Sequence, residues 1–209
     1  MNNLSASVLS TEEGKAKYDQ AMRKVLSDKQ VLAWILKRFE SEYEQLPLEE
    51  IEKKYIEPET ILVSKVGVSR DSPVIKGLSE KDATQKEGTV YYDIVFQAYY
   101  PGNEQEKIGR YINLEAQADY YPGYPLEMRG IYYGARRLTS QLQRINKETN
   151  YGCLQKVYSI WLCVSNVPAY ESDTVTLYDI SKNDIIGSVK RNKDLYDLIN
   201  VVIIRLNDE

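Results

Sequence analysis

Residues 157–164 read VYSIWLCV, eight residues in which only Ser159 is strictly polar. The run has the length of a strand, and a strand apolar on both sides must be covered on both faces. It is therefore read as a central strand, with other strands beside it and helices above and below. The sequence just before it, LEMRGIYYGARRLTSQLQRI, predicts a helix over 126–145 with Leu126, Ile131, Ala135, Leu138 and Leu142 on one face. Earlier still, Val90 to Tyr99 and Lys107 to Ala118 read as two strands joined by PGNEQE, which supplies Pro and Gly for a hairpin loop. Thr174 to Tyr178 and Leu198 to Leu206 are further β-prone stretches, with DLYDLI a short helical candidate between them.

Toward the N-terminus, KYDQAMRKVL predicts a short amphipathic helix, and Ser27 with Gln30 has capping-box spacing for the next one. That second helix would bury Val31, Leu32, Ile35, Leu36, Phe39 and Tyr43, solvate Lys37, Arg38, Glu40 and Glu44, and end at Pro47. Residues 1–14 read as a polar, disordered leader, and 56–89 as a partly irregular excursion containing β-prone pieces such as ILVSKVGV. The order of strands, helix and buried strand predicts a single α/β domain over 1–209 with a mixed central sheet.

Composition narrows the chemistry. At 209 residues and 43% hydrophobic the chain can close one sizeable core. No basic-then-apolar leader and no apolar run near the ~20 residues of a bilayer span is present, so a soluble cytoplasmic protein with no membrane partner is expected. The two cysteines, Cys153 and Cys163, sit in or beside apolar sequence; they read as core residues, not as a disulfide framework or zinc cluster. A net charge of -4 argues against binding nucleic acid through a broadly basic surface, though not against a local patch. Most restrictive is the absence of histidine. It removes Ser-His-Asp triads, Cys-His pairs and histidine metal sites together, leaving carboxylates, amides, lysines and tyrosines.

Within those limits one arrangement carries chemistry. Strand alternation puts Tyr111, Asn113, Glu115 and Gln117 on one face and Ile112, Leu114, Ala116 and Ala118 on the other. If the hairpin closes symmetrically about Glu104, paired residue numbers sum to about 208 and Asp93 lies opposite Glu115, with Cβ atoms roughly 5 Å apart. Two facing carboxylates repel unless a cation or shared proton lies between them, and Mg²⁺, which takes oxygen ligands, is the natural compensator. Spacing alone also allows a register displaced by a residue or two, with the carboxylates on a solvated face. On the predicted helix, Arg129 and Tyr133 share a face at i, i+4, and Arg136 lies a further turn along.

The blocks GTVYYDIVFQAYYP, YINLEAQADYYPGYPLEMRGIYYGARRLTSQL and KVYSIWLCVS, with KYDQAMRKVLSDKQVLAWILK before them, resemble the PD-(D/E)XK nuclease family transposases, a restriction-endonuclease-like group, over roughly Lys17 to Leu206. The resemblance implies a restriction-endonuclease-like core: a helix, an antiparallel β-meander, a second helix and a further strand in a mixed central sheet. It implies a Mg²⁺-dependent endonuclease, with Mn²⁺ able to substitute, acting on DNA in recombination or a mobile element; RNA is not separated from DNA by these residues. Asp93 and Glu115, with the Ala116 carbonyl, would hold the metal, and Gln117 takes the position where the family name places lysine. Glu42 is the candidate third carboxylate, Arg129 is expected on a substrate phosphate or on Glu115, Tyr133 at the site edge, and Arg136 and Arg137 on phosphate. Ala118 departs from the polar or basic residue usual after that glutamine. Double-strand cleavage with one site per chain would require a homodimer. A protein of this fold that binds DNA or a partner without cutting is the alternative, motivated by Gln117 and the acidic total.

Overall fold

The computed structural model describes residues 25–26, 28–56, 62–63, 67–69, 81–84, 88–91, 94–99, 109–117, 120–145 and 150–206. The expected leader lies outside them, as does all of KYDQAMRKVL except the helical Val25 and Leu26. The first helix described in full, α1 (Lys29–Phe39), is followed by a 3₁₀ turn (Ser41–Tyr43) and a single α-turn, α2 (Leu48–Glu50), that runs into a π-helical stretch (Ile51–Tyr55). Next come β1 (Leu62–Val63), β2 (Gly67–Ser69), β3 (Lys81–Thr84), β4 (Gly88–Tyr91), β5 (Ile94–Tyr99) and β6 (Gly109–Gln117). The long helix α3 (Leu126–Ile145) precedes β7 (Val157–Cys163), β8 (Thr174–Tyr178) and β9 (Ile199–Arg205).

The fold is α/β, with a mixed sheet flanked by helices. Its strands run in the order β1-β5-β6-β7-β9-β8, and β2-β3-β4 form a separate three-stranded sheet. The apolar run VYSIWLC is β7, held in parallel register between β6 and β9. On one face Ile112, Leu114, Tyr158, Ile160, Val202 and Ile204 pack against Leu32, Ala33, Ile35 and Leu36 of α1. On the other face Tyr111 and Val157 meet Tyr133 and Leu138 of α3, and Trp161, Val201 and Ile203 meet Leu126 and Tyr133. A strand covered by α1 on one side and α3 on the other has no solvated face, which accounts for its unbroken apolarity.

Several local expectations are corrected. The strand expected over 90–99 is two strands, since β4 pairs with β3 in the small sheet while β5 pairs with β6 in the large one. The N-cap of α1 is Asp28, whose carboxylate accepts from the Gln30 backbone N–H at 2.8 Å; Ser27 lies outside the described residues. Helix α1 stops at Phe39, not at Pro47, and Pro47 instead precedes α2. Glu40, expected in solvent, is buried with its Oε1 3.6 Å from Arg110 Nε, both side chains nearly inaccessible. Glu40 is the extended C-cap residue of α1, and its carboxylate meets Arg110 and Tyr158. Burial pushes its carboxyl up to about 7, against the opposing pull of the Tyr158 hydrogen bond and the Arg110 charge.

The buried face of α3 also differs from the expected one. Ile131 is exposed and Ala135, Leu138 and Leu142 are half-buried, while Gly130, Gly134, Arg137 and Gln141 face inward. The cause is close approach: a Cβ on Gly134 would lie 2.7 Å from Ile199 Cγ2, and one on Gly130 would overlap Val201 Cγ1. Small residues take the nearest contact, so the larger apolar ones fall to its flanks. Lower down, the Gln141 amide closes two hydrogen bonds with the Gln155 backbone at 2.9 and 2.8 Å. DLYDLI is not a helix: Asp194 and Leu195 end a 3₁₀ turn (Lys193–Leu195) and Ile199 opens β9. Cys163 is buried as expected, but Cys153 is only half-buried, in a surface 3₁₀ turn. Among the described residues no helix is long and apolar enough to cross a membrane.

Candidate functional site

The register of β5 on β6 runs from Ile94↔Leu114 to Tyr99↔Gly109, so paired numbers sum to 208. This is the register on which the sequence reading set Asp93 opposite Glu115; Asp93 itself lies outside the described residues. Parallel pairing then aligns three rows across the sheet: Asn113–Ser159–Val201, Glu115–Trp161–Ile203 and Gln117–Cys163–Arg205. The last two rows lie at the C-terminal ends of β6, β7 and β9, where open α/β sheets gather ligands.

Glu115 alternates with Leu114, which belongs to the α1-side core, so its carboxylate faces α3. It is 5% exposed. Its charge is felt by Arg129 and Tyr133, both from the first two turns of α3. Arg129 is the hub. Its Nη1 donates to Tyr124 OH at 2.8 Å and to Gln117 Oε1 at 3.4 Å, and its Nη2 donates to Tyr133 OH at 2.9 Å. The guanidinium carbon lies 4.9 Å from the Trp161 ring centre, 5.0 Å from that of Tyr133 and 5.8 Å from that of Tyr124. Trp161 is fixed in turn by donating its indole N–H to Ser159 Oγ at 3.0 Å.

Electrostatics follow from this packing. Burial alone would lower the Arg129 guanidinium; its hydrogen bond to Tyr133, with Tyr124 and Glu115 nearby, outweighs that and holds it above its ordinary value. Burial also raises the Tyr133 phenol, and Glu115 adds to it against Arg129. Tyr133 therefore stays protonated at neutral pH and can donate or accept, but not act as a base.

The structure brings Glu115, Gln117, Arg129 and Tyr133 together. It does not bring Glu42 to them. Glu42 lies in the 3₁₀ turn after α1, and its charge acts on Glu40, Tyr43 and Tyr158, on the α1 side of the sheet. Arg136 is 9% exposed and Arg137 fully buried, so both are interior residues of α3 in this structure. Among the described residues no group of three or more Cys, Asp or Glu side chains is close enough to hold a metal ion.

No protein-family model, curated protein or solved structure matches this chain. The site is therefore judged on its own residues. Three of them carry no role in the sequence pattern: Trp161, which reads as core until the register sets it beside Glu115; Tyr124, one of many tyrosines; and Asn113, fully buried two residues before Glu115, with neither amide atom hydrogen-bonded among the described residues. The only signal for Asn113 was its place in the polar alternation of β6.

A second cluster stabilises the rim. Arg205, 6% exposed at its side chain, donates to Tyr120 OH and Thr176 Oγ1, each at 2.8 Å, and lies 3.3 Å from a Glu171 oxygen and 3.9 Å from one of Glu127. Tyr120 also donates to Glu171, and Tyr178 donates to Glu127 at 3.0 Å. This ties β8, β9, the start of α3 and the 168–174 turn into one unit. Cys163 beside it is pushed up to about 12 by burial and stays an unreactive thiol.

Proposed function

We propose that this chain is a metal-dependent endonuclease with a restriction-endonuclease-like core, acting on DNA in recombination or for a mobile element. The observation that carries the reading is the convergence of a buried Glu115, the Gln117 amide and the Arg129–Tyr133 pair at the C-terminal end of β6. The topology supports it: after α1, the strands β1, β5 and β6 form an antiparallel meander, and β7 follows α3 parallel to β6. The donor chemistry fits Mg²⁺ or Mn²⁺, because the Glu115 carboxylate and the Ala116 carbonyl are hard oxygens. With Asp93 as second carboxylate, Glu115 and Ala116 would hold the ion, which supplies charge neutralisation at the scissile phosphate.

The chain's own residues do the rest. The Gln117 amide can donate to and accept from a water, orienting it toward phosphorus. Arg129 meets a phosphate oxygen, and Tyr133 holds Arg129 in place. In the hydrolysis a bond forms from the water oxygen to phosphorus, the bond from phosphorus to the leaving sugar oxygen breaks, and that oxygen ends protonated. Cutting both strands would use two chains, one site on each.

The alternative, DNA or partner binding without cleavage, is favoured by one observation: Gln117 brings no charge and is already engaged by Arg129. Incubation of the purified protein with supercoiled and linear DNA, with Mg²⁺, Mn²⁺ or EDTA, separates the two. Metal-dependent nicking should fall by at least about 100-fold in Asp93→Ala and in Glu115→Gln. Cleavage that survives both substitutions rejects the site, and binding without any cleavage selects the alternative.

A further inference from the structure

Position 117 and position 129 hold groups that meet across the gap between β6 and α3, and only one of them is charged. We propose that Arg129 is a catalytic residue that supplies, from the helix, the positive charge a lysine at position 117 would supply from the strand. The inference rests on the nuclease reading above and adds to it the source of the missing cation.

Arg129 Nη1 is 3.4 Å from Gln117 Oε1, so the guanidinium already stands at the tip of the side chain that occupies the lysine position. It is held there by the rings of Trp161 and Tyr133 and by the two tyrosine hydroxyls, a cage that orients it without neutralising it. The nearby charge it answers to is Glu115, directly beside Trp161 in the register. A lysine at 117 would put a second cation against Arg129, and two like charges that close in a half-buried site repel. Glutamine avoids this, accepting from Arg129 through its oxygen and adding no charge. The two positions thus form an exchange: charge on the strand, or charge on the helix, but not both.

This predicts an effect whose sign depends on background. In single-turnover cleavage of a labelled duplex with Mg²⁺, Arg129→Ala should slow the chemical step by about 100- to 1000-fold, the size of loss seen when one charge-stabilising donor is removed. Gln117→Lys alone should also slow it, because it sets two cations together, yet added to Arg129→Ala it should recover at least about tenfold. Arg129→Lys should retain part of the rate. A readout independent of turnover uses Trp161: in a Trp34→Phe background it is the single tryptophan, and Arg129 lies over its ring. Titration with inorganic phosphate should change its emission as the guanidinium shifts to the anion, in Glu115→Gln as in the parent, but not in Arg129→Ala.

If Glu115→Gln is inactive while Arg129→Ala cleaves within twofold of the parent, Arg129 is no part of the chemistry and the nuclease reading stands without it. If Gln117→Lys fails to improve Arg129→Ala although Arg129→Lys folds and melts normally, the exchange is wrong. An unaltered chain that shows no metal-dependent cleavage ends both the nuclease reading and this one.

Discussion

Glu40 illustrates how one side chain sets a pH response. Its carboxyl, raised to about 7 chiefly by burial, is protonated in the folded chain at pH values where the unfolded chain has already released the proton. The folded state therefore binds more protons between the ordinary carboxylate range and about pH 7, and stability falls as pH rises through that window. The loss is of the order of 3 kcal/mol. Urea unfolding between pH 4.5 and 8 should show this decline in the parent and a flatter profile in Glu40→Gln; equal slopes would show that Glu40 ionises freely when folded. At this scale the sequence was informative where alternation governs and uninformative where packing does. Glu115 and Gln117 were set on one face by the period of a strand alone. Glu40 was misread, because its helical position is polar and only partners far along the chain, Arg110 and Tyr158, explain its burial.

At the scale of elements, the boundaries of α3, β7 and β8 were legible, since each is bounded by turn residues and patterned throughout. The inward face of α3 was not. Periodicity selects the most apolar stripe, whereas here Gly130 and Gly134 admit the helix close to β7 and β9. Gly130→Ala should therefore destabilise the protein by about 1–2 kcal/mol in urea unfolding, even though alanine is the better helix former by about 1 kcal/mol. Val201→Ala, which clears the space a Cβ would enter, should recover much of that loss in the double variant. Additive losses would mean that the contact is not what fixes the helix. The division of the 90–99 region between two sheets was equally illegible, because partners in a sheet are chosen by tertiary contacts that propensity does not record.

Over the whole molecule, buried polar groups tie down the long connections at both ends of the parallel strands. Arg205 does so at the C-terminal end. At the opposite end Asp197, 1% exposed, accepts from Lys156 Nζ at 2.8 Å and from the Ile180 backbone N–H at 2.9 Å, joining the segment between β8 and β9 to the sheet. Asp197→Ala should lower unfolding free energy by about 3 kcal/mol and speed amide exchange at Ile180, while leaving α3 protected. An Ile180 amide that exchanges at the parent rate would show that something else holds the segment. The strand order carries one more consequence. Since β9 enters the sheet between β7 and β8, the ribosome delivers an interior strand some forty residues after the strand it must cover. Until then β7 stands as a nascent edge, its outward backbone N–H and C=O groups without the strand that later pairs with them.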